Sequence, residues 1–330
     1  MPNKDYYKTL HVAANAHEDV LKAAFRALVK IHQGDEPRMK EINEAWEVLG
    51  DKDNKKKYDK DRDAPRGKVI GDYKVISKIA EGGFGVTYRA EHTTLGTSVC
   101  IKHALNISPE DEQLLLEEAR SMWDLRHFGI PAMRDLLRMP DGSLSLVMSY
   151  VPGKDLAKVI EDDYPKGLEP EHVAWICERT LNILKYLHMH GVVHGDVKPQ
   201  NIIIQPDSHT VVVVDYGLSM VRPRASDGSK GYTPYFASPE AIDGSPLIPE
   251  SDLYGLAMTM VFALGGNIDA VRVPDTIPEE MLKFMKNMLR RDPLQRPRVW
   301  EKEDLTESVK TMRNKAFGRI ASNMKPLKIS

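Results

Sequence analysis

Two runs of aliphatic residues, Ile202-Ile203-Ile204 and Val211-Val212-Val213-Val214, flank a short polar turn and border the most chemically loaded stretch of the chain. Short, uninterrupted β-branched runs of this kind read as buried strands, and buried strands fix whatever is tied to their ends. Before the first run stands His194-Gly195-Asp196-Val197-Lys198-Pro199-Gln200-Asn201, and after the second stands Asp215-Tyr216-Gly217. A carboxylate, a lysine and an amide thus share one loop, and a second carboxylate is brought in by the strands. Moving a phosphoryl group off ATP needs this set. One acid orients the attacking hydroxyl, a cation neutralises the moving charge, and an amide and a second acid hold magnesium.

The 330 residues leave room for one catalytic domain of ordinary size and one small extra domain. At 42% hydrophobic and 28% charged residues, the composition is that of a soluble globular protein. The net charge of −2 gives no global field for nucleic acid or a membrane surface, so neither is expected as a partner. No apolar run approaches membrane-spanning length, and Met1-Pro2-Asn3-Lys4-Asp5 has no signal-peptide core. Two cysteines, Cys100 and Cys177, are too few for a disulfide framework or a metal site. Together these features read as an intracellular, cytoplasmic protein.

Residues 1–62 form a segment of helical periodicity. Leu21, Ala24, Phe25 and Leu28 fall on one helix face, and Ile42, Ala45, Trp46 and Leu49 on another. Gln33-Gly34-Asp35-Glu36-Pro37 breaks the two, with Pro37 suited to a helix start. Packed as a hairpin, the helices bury both apolar faces. A polar linker holding Pro65 and Gly67 follows, spanning 63–70. From 71 to about 150 strand-like runs such as Tyr73-Lys74-Val75-Ile76 alternate with turns. Helical patterns dominate 151–309, clearest over Glu171–His188 and Leu253–Leu264. Residues 310–330 read as a basic, solvated tail, in which Arg319 precedes Ser322 at a spacing suited to a basophilic phosphosite.

The N-terminal segment resembles a J domain, the DnaJ-type chaperone module, through Asp5-Tyr6-Tyr7, Leu10, Val12, Ala24-Phe25-Arg26, Leu28, Glu41 to Leu49 and Tyr58-Asp59. That family carries His-Pro-Asp between its main helices, the triplet that stimulates DnaK-type ATPases. Here the corresponding place reads His32-Gln33-Gly34-Asp35. The resemblance therefore implies a helical docking or regulatory module that recruits a protein partner, with a DnaK-type chaperone the weaker reading.

The loop His194–Asn201 and the triplet Asp215-Tyr216-Gly217 resemble the catalytic and magnesium loops of eukaryotic-type protein kinases, usually His-Arg-Asp…Asn and Asp-Phe-Gly. The resemblance runs from Gly71 to about Val309. It implies an α+β, two-lobed fold with a small β-rich lobe (71–150) and a larger helical lobe (151–309). It makes Asp196 the acid–base residue and Lys198 the contact to the γ-phosphate. Asn201 and Asp215 become magnesium ligands, with manganese the substitute cation. In the glycine-rich turn, Ile79, Gly82, Gly83, Phe84, Gly85 and Thr87 contact ATP, with Ala80 in place of the first glycine. Val99-Cys100-Ile101-Lys102 supplies the phosphate-binding lysine, and Glu118, nine residues before His127, is its partner in preference to Glu117. In Leu146–Gly153, Met148 is the gatekeeper, and the Ser149 carbonyl and Val151 amide meet the adenine; Asp155 is placed near the ribose.

Further along, Thr233-Pro234-Tyr235-Phe236-Ala237-Ser238-Pro239-Glu240 resembles the end of a kinase activation segment. The likeness implies that Thr233 bonds the catalytic loop, that Glu240 pairs with Arg296 and that Asp252 braces the loop. Between Leu264 and Pro278 the chain lacks most of the usual substrate-docking loop and helix. Gly195 stands where regulated kinases carry an arginine that reads activation-loop phosphate. Activity is therefore expected to survive alanine at Ser219, Ser226 or Ser229, though not at Thr233. Lys198-Pro199 and Thr233 point to Ser/Thr protein substrates. The alternatives are a pseudokinase scaffold, a small-molecule kinase of the aminoglycoside-phosphotransferase type, and a chain in which the J-like module is the main actor.

Overall fold

The computed structural model describes residues 6–12, 16, 18–55, 67–82, 85–104, 109–139, 142–224, 226–297, 300, 304–318 and 326–329. The chain folds as two compact units, one up to Ser98 and one from Val99 onward. The first unit opens with a short helix α1 (Tyr6–Thr9), followed by α2 (Glu18–Ile31) and α3 (Glu36–Leu49). Tyr7, Leu10, Leu21, Leu28, Ile42, Ala45 and Leu49 meet in a core of their own. Phe25 stacks on Trp46 with ring centroids 4.6 Å apart. The short break between the helices is spent on capping. Gly34 takes φ +105°, and the Asp35 carboxylate accepts from the Arg38 amide at 3.2 Å, with a proline in the first turn.

The same unit contains an antiparallel meander of β1 (Val69–Ile70), β2 (Tyr73–Gly82) and β3 (Gly85–His92). Along β3, Val86, Tyr88 and Ala90 are buried while Arg89 and Glu91 are exposed, the period of two of a one-sided strand. The break between the two compact units falls at Ser98.

In the second unit β4 (Ser98–His103), β5 (Met133–Arg138) and β6 (Leu144–Ser149) form antiparallel pairs with β6 central. Between β4 and β5 lies α4 (Pro109–Trp123). Helices α5 (Pro170–Met189), α6 (Pro249–Ala263), α7 (Glu279–Met288) and α8 (Leu305–Phe317) build the main core. Helix α6 is buried on nearly every side, as its almost unbroken apolar sequence requires. From Gly265 to Ile277 the chain makes one isolated bridge, Asn267–Arg272, and no helix.

Two small ladders position the chemistry. Strand β7 (Lys154–Asp155) pairs with β9 (Ile202–Gln205), which pairs with β10 (Thr210–Val213) in register Ile202–Val213. Strand β8 (Val192–Val193) pairs with β11 (Met220–Val221). The catalytic-type loop therefore leaves one ladder and enters the other, and the Asp215 segment does the same in reverse.

The basic C-terminal segment departs from the solvated tail expected over 310–330. Helix α8 runs through the expected boundary, capped by Asp304 and closed by Gly318 at φ +64°. Leu305, Val309 and Met312 lie on one helix face and are buried, and Arg313 pairs with Glu178 of α5. Leu327 is buried again, and the Tyr164 hydroxyl donates to the Lys328 carbonyl at 2.8 Å. Basic composition hid an amphipathic stripe. The Arg319–Ser322 pair lies outside the described residues, as do the Asp5, Tyr58-Asp59 and Pro65 readings. Met312→Ala is expected to cost about 2–5 kcal/mol in urea unfolding. A residue of a solvated tail would change stability by less than about 0.5 kcal/mol.

Candidate active site

The catalytic-type loop hangs on one buried carboxylate. Asp252, at 2% exposure in the first turn of α6, accepts from the backbone amides of His194 and Gly195, each at 2.8 Å, and from His188 Nε2 at 2.8 Å. Burial pushes its carboxyl up, but the bond to and charge of His188, with smaller help from His194 and the Gly195 amide, outweigh this and hold it below the usual carboxylate range. The Trp300 indole N–H donates to His188 Nδ1 at 3.1 Å, leaving the proton on Nε2 to face Asp252. His194 is fully buried, and its Nδ1 accepts the Asp196 amide at 3.2 Å. Gly195 takes φ +76°, and a Cβ there would stand 2.7 Å from the Leu218 carbonyl oxygen. The glycine is required by the backbone, whatever else its lack of a side chain does.

Asp196 sits inside a closed ring of hydrogen bonds. Its Oδ1 accepts from the Thr233 hydroxyl at 2.7 Å, and its Oδ2 lies 2.7 Å from Lys198 Nζ. Lys198 donates in turn to Thr233 Oγ1 at 2.9 Å. Asn201 Nδ2 donates to Asp196 Oδ2 at 3.0 Å and to its backbone carbonyl at 2.9 Å. A carboxylate offers about four lone-pair sites, so among the described residues one, on Oδ1, is left for a further donor.

Lys102 joins this region from β4. Its Nζ is 2.7 Å from Glu118 Oε2 and 3.3 Å from Asp215 Oδ1. Burial works against the Lys102 cation, yet the two carboxylates prevail and raise its pKa. Asp215 is pushed up by the surrounding protein and brought below its ordinary range by Lys102. Glu117 faces away from this group and pairs with Lys230 at 2.9 Å. Tyr216 is fully buried, with its ring centroid 4.8 Å from that of His194.

The donor set fits a hard divalent cation. With both Asn201 amide protons spent on Asp196, its Oδ1 is an acceptor with no partner among the described residues. Asp215 Oδ1 serves Lys102 and the Gly217 amide, and Oδ2 is likewise unpartnered there. No group of three or more His, Cys, Asp or Glu side chains able to hold a metal occurs among the described residues. Two oxygen ligands suit a magnesium that arrives with phosphates rather than one caged by protein.

In Leu144–Val151, Met148 and Ser149 are half-buried, and the Ser149 hydroxyl accepts the Ala132 amide at 2.9 Å. The Val151 amide has no partner among the described residues. Asp155, expected near the ribose, caps the turn Leu156–Lys158 through the Lys158 amide at 3.0 Å. In the first unit, Ile79 and Thr87 are half-buried on β2 and β3, and Gly82 stands opposite Gly85. Gly83 and Phe84 lie outside the described residues. Cys100 is half-buried, and burial pushes its thiol up to about 12, which leaves it protonated and inert at neutral pH.

The family model described as "Protein kinase domain" matches residues 73–304. The chain belongs to the protein kinase family. The "DnaJ domain" model matches residues 5–59, the three-helix segment. Among curated proteins, Serine/threonine-protein kinase pkn3 of Myxococcus xanthus is 31% identical over 220 residues, 62% of this chain and 40% of that protein. Probable serine/threonine-protein kinase PknB of Lactococcus lactis is 28% identical over 210 residues, 61% of this chain and 33% of that protein. Serine/threonine-protein kinase 36 of Mus musculus is 30% identical over 246 residues, 68% of this chain and 18% of that protein. The chain thus spans less than half the length of these relatives.

Elsewhere in the kinase domain, Arg296 forks onto both oxygens of Glu240 at 2.6 and 2.9 Å, and Ser251 donates to the same carboxylate at 2.7 Å. The expected pair is present and buried. Ser219 is 1% exposed and donates to the Tyr216 carbonyl at 2.7 Å, which places it inside the structure rather than on a modifiable surface. Trp300, His188 and Lys230 went unnoticed in the sequence. Only their partners in space mark them, and the side-chain partners lie from 64 to 113 positions away. Gly195→Ala is expected to destabilise the kinase domain by about 1–3 kcal/mol, read as a lower melting temperature, because both φ and the Leu218 carbonyl oppose a side chain.

Proposed function

We propose that the chain is a Ser/Thr protein kinase that transfers the γ-phosphoryl group of ATP to protein hydroxyls in the cytoplasm. The observation that carries this reading is the Asp196–Lys198–Thr233 ring, with its single open acceptor site on Asp196 Oδ1. A substrate hydroxyl donates its proton to that site. As its oxygen bonds to the γ-phosphorus, the bond to the β–γ bridging oxygen breaks. The proton passes to Asp196, and ADP leaves with the electron pair. Lys198 offsets the charge that grows on the transferred group, and Thr233 keeps the acid and the lysine in register. Lys102, fixed by Glu118, is charged and directed at the α- and β-phosphates. The backbone of Ser149 and the Val151 amide, which has no partner among the described residues, take the adenine edge. The glycine-rich turn is assigned to the same nucleotide on its sequence alone.

Asn201 Oδ1 and Asp215 Oδ2 are the atoms that would hold magnesium, or manganese in its place. The metal when bound supplies the positive charge that draws electron density from the phosphates. Ser/Thr preference is supported by Lys198 two residues after Asp196, by Thr233, and by the names of the relatives. Two unpaired cysteines, whose thiols burial keeps protonated, suit a reducing compartment. Among the described residues no helix is long and apolar enough to cross a membrane.

Labelled-phosphate transfer from magnesium ATP, to the protein itself and to a generic Ser/Thr protein substrate, tests the reading. Wild type is expected to transfer and Asp196→Asn to lose about a hundred-fold or more of the rate. Retained ATP binding with no transfer by either would favour a scaffold. Transfer to small alcohols but to no protein would favour a small-molecule kinase.

The DnaJ domain is assigned to recruiting a protein partner. Its helix pair packs on a core of its own, while the loop that carries the ATPase-stimulating triplet in that family is short and spends Asp35 on a helix cap. A truncation beginning at Pro65 is therefore expected to keep its rate on a generic substrate and to lose rate on native targets, with residues 1–66 giving no stimulation of a DnaK-type ATPase. Full rates on all native targets would remove the recruiting role.

A further inference from the structure

A kinase works only while the helix bearing its glutamate stays within reach of the phosphate-binding lysine, so something must hold α4 against the Asp215 segment. The direct link is small. Ser121 Oγ and Ser219 Oγ are 3.1 Å apart, and each hydroxyl also bonds a carbonyl of its own segment, Glu118 and Tyr216 respectively. The larger link comes from the activation segment. Lys230 Nζ donates to the Ser219 carbonyl at 2.8 Å and pairs with Glu117 Oε2 at 2.9 Å. Its side chain is 15% exposed. Gln113 holds the other oxygen of Glu117 at 3.3 Å. The Lys230 hydrogen bond is the main cause that keeps the Glu117 carboxyl below its ordinary range. Gly231 follows at φ +144°, a conformation that lets the chain turn sharply just after the lysine.

We propose that Lys230 is a positioning residue for phosphoryl transfer. It clamps α4 to the segment after Asp215, so that the unmodified chain forms the Lys102–Glu118 pair without a phosphate on its activation segment. The inference rests on the kinase reading above. The polarity supports it. The acid sits on the helix and the cation on the segment, so a phosphate added to the segment would compete with Glu117 for Lys230 instead of extending the clamp. Gly195, beside Asp196, offers no cation to a phosphate either. Glu117 and Glu118 then divide two tasks between neighbouring positions of one helix, Glu118 facing Lys102 and Glu117 facing Lys230.

The test uses the full chain after phosphatase treatment. It measures kcat and KM for ATP, together with amide hydrogen exchange. Lys230→Ala and Glu117→Gln are each expected to lower kcat by about ten- to a hundred-fold. Exchange should speed up in 117–123 and 216–221 and stay unchanged in α6. Lys230→Arg is expected to keep most of the rate, and the swap Glu117→Lys/Lys230→Glu to recover part of it. Ser226→Ala/Ser229→Ala is expected to match wild type. A wild-type rate and wild-type exchange in Lys230→Ala would overturn the proposal. So would a loss that neither Lys230→Arg nor the swap restores, or a requirement for Ser226 or Ser229. If wild type itself transfers no phosphate, the kinase reading fails instead, and the exchange measurement still decides whether Lys230 clamps the helix.

Discussion

The Asp252 carboxylate is a charge placed where water does not reach, and the catalytic loop is arranged around satisfying it. Burying an ionised acid is costly unless every lone pair finds a donor. Here the donors are the amides of His194 and Gly195 and the imidazole of His188. Each of those bonds is also a geometric constraint. Two consecutive amides pointing at one carboxylate fix the backbone just before Asp196, and that orientation in turn aims its side chain at Thr233, Lys198 and Asn201. The β8–β11 and β9–β10 ladders fix the ends of the loop. Asp252 fixes its middle. The indole of Trp300 adds an outer layer by setting which imidazole nitrogen carries the proton.

With the loop held, the site divides its charges so that nearly all are spent on one another. Lys102 lies between Glu118 and Asp215, Lys198 between Asp196 and Thr233, and Arg296 across both oxygens of Glu240. What is left over among the described residues is small and specific: one lone pair on Asp196, one oxygen of Asp215 and the amide oxygen of Asn201. All three are oxygen acceptors. An array of oxygen acceptors beside two well-fixed ammonium groups has the polarity that the proposed phosphoryl transfer requires. The chemistry follows from which atoms the internal network leaves unpaired.

Much of this was legible in the sequence, for a physical reason. Asp196, Lys198 and Asn201 are close in the chain because one loop carries them, and Asp215 follows after two short strands, so spacing alone reports the juxtaposition. The glutamate was harder, since Glu117 and Glu118 are adjacent and only their direction on α4 separates them. Lys230, His188 and Trp300 were not legible. A lysine is one of 46 basic residues, and nothing local distinguishes the one whose ammonium lands between Glu117 and the Ser219 carbonyl. Helix α8 was missed because its basic composition outweighed a stripe of only Leu305, Val309 and Met312, whose partners come from α5 and α7. In the N-terminal unit the reverse held. Phe25 and Trp46 announced their helices by period, and the structure stacks them.

Gly195 shows how a single position can carry both a structural and a chemical constraint. Read as a sequence, it is the absence of a cation beside the acid. Read as geometry, it is a backbone bent to φ +76° whose α-carbon faces the Leu218 carbonyl. The two are consistent because the bend at Gly195 goes with the His194 and Gly195 amides both reaching Asp252. A side chain there would have to displace Leu218, which lies in the short stretch between Asp215 and Ser219. That stretch is already tied to α4 through Ser219 and Lys230. The cation that orders the segment therefore lies on the segment itself, and its counter-charge lies on the helix that has to be held.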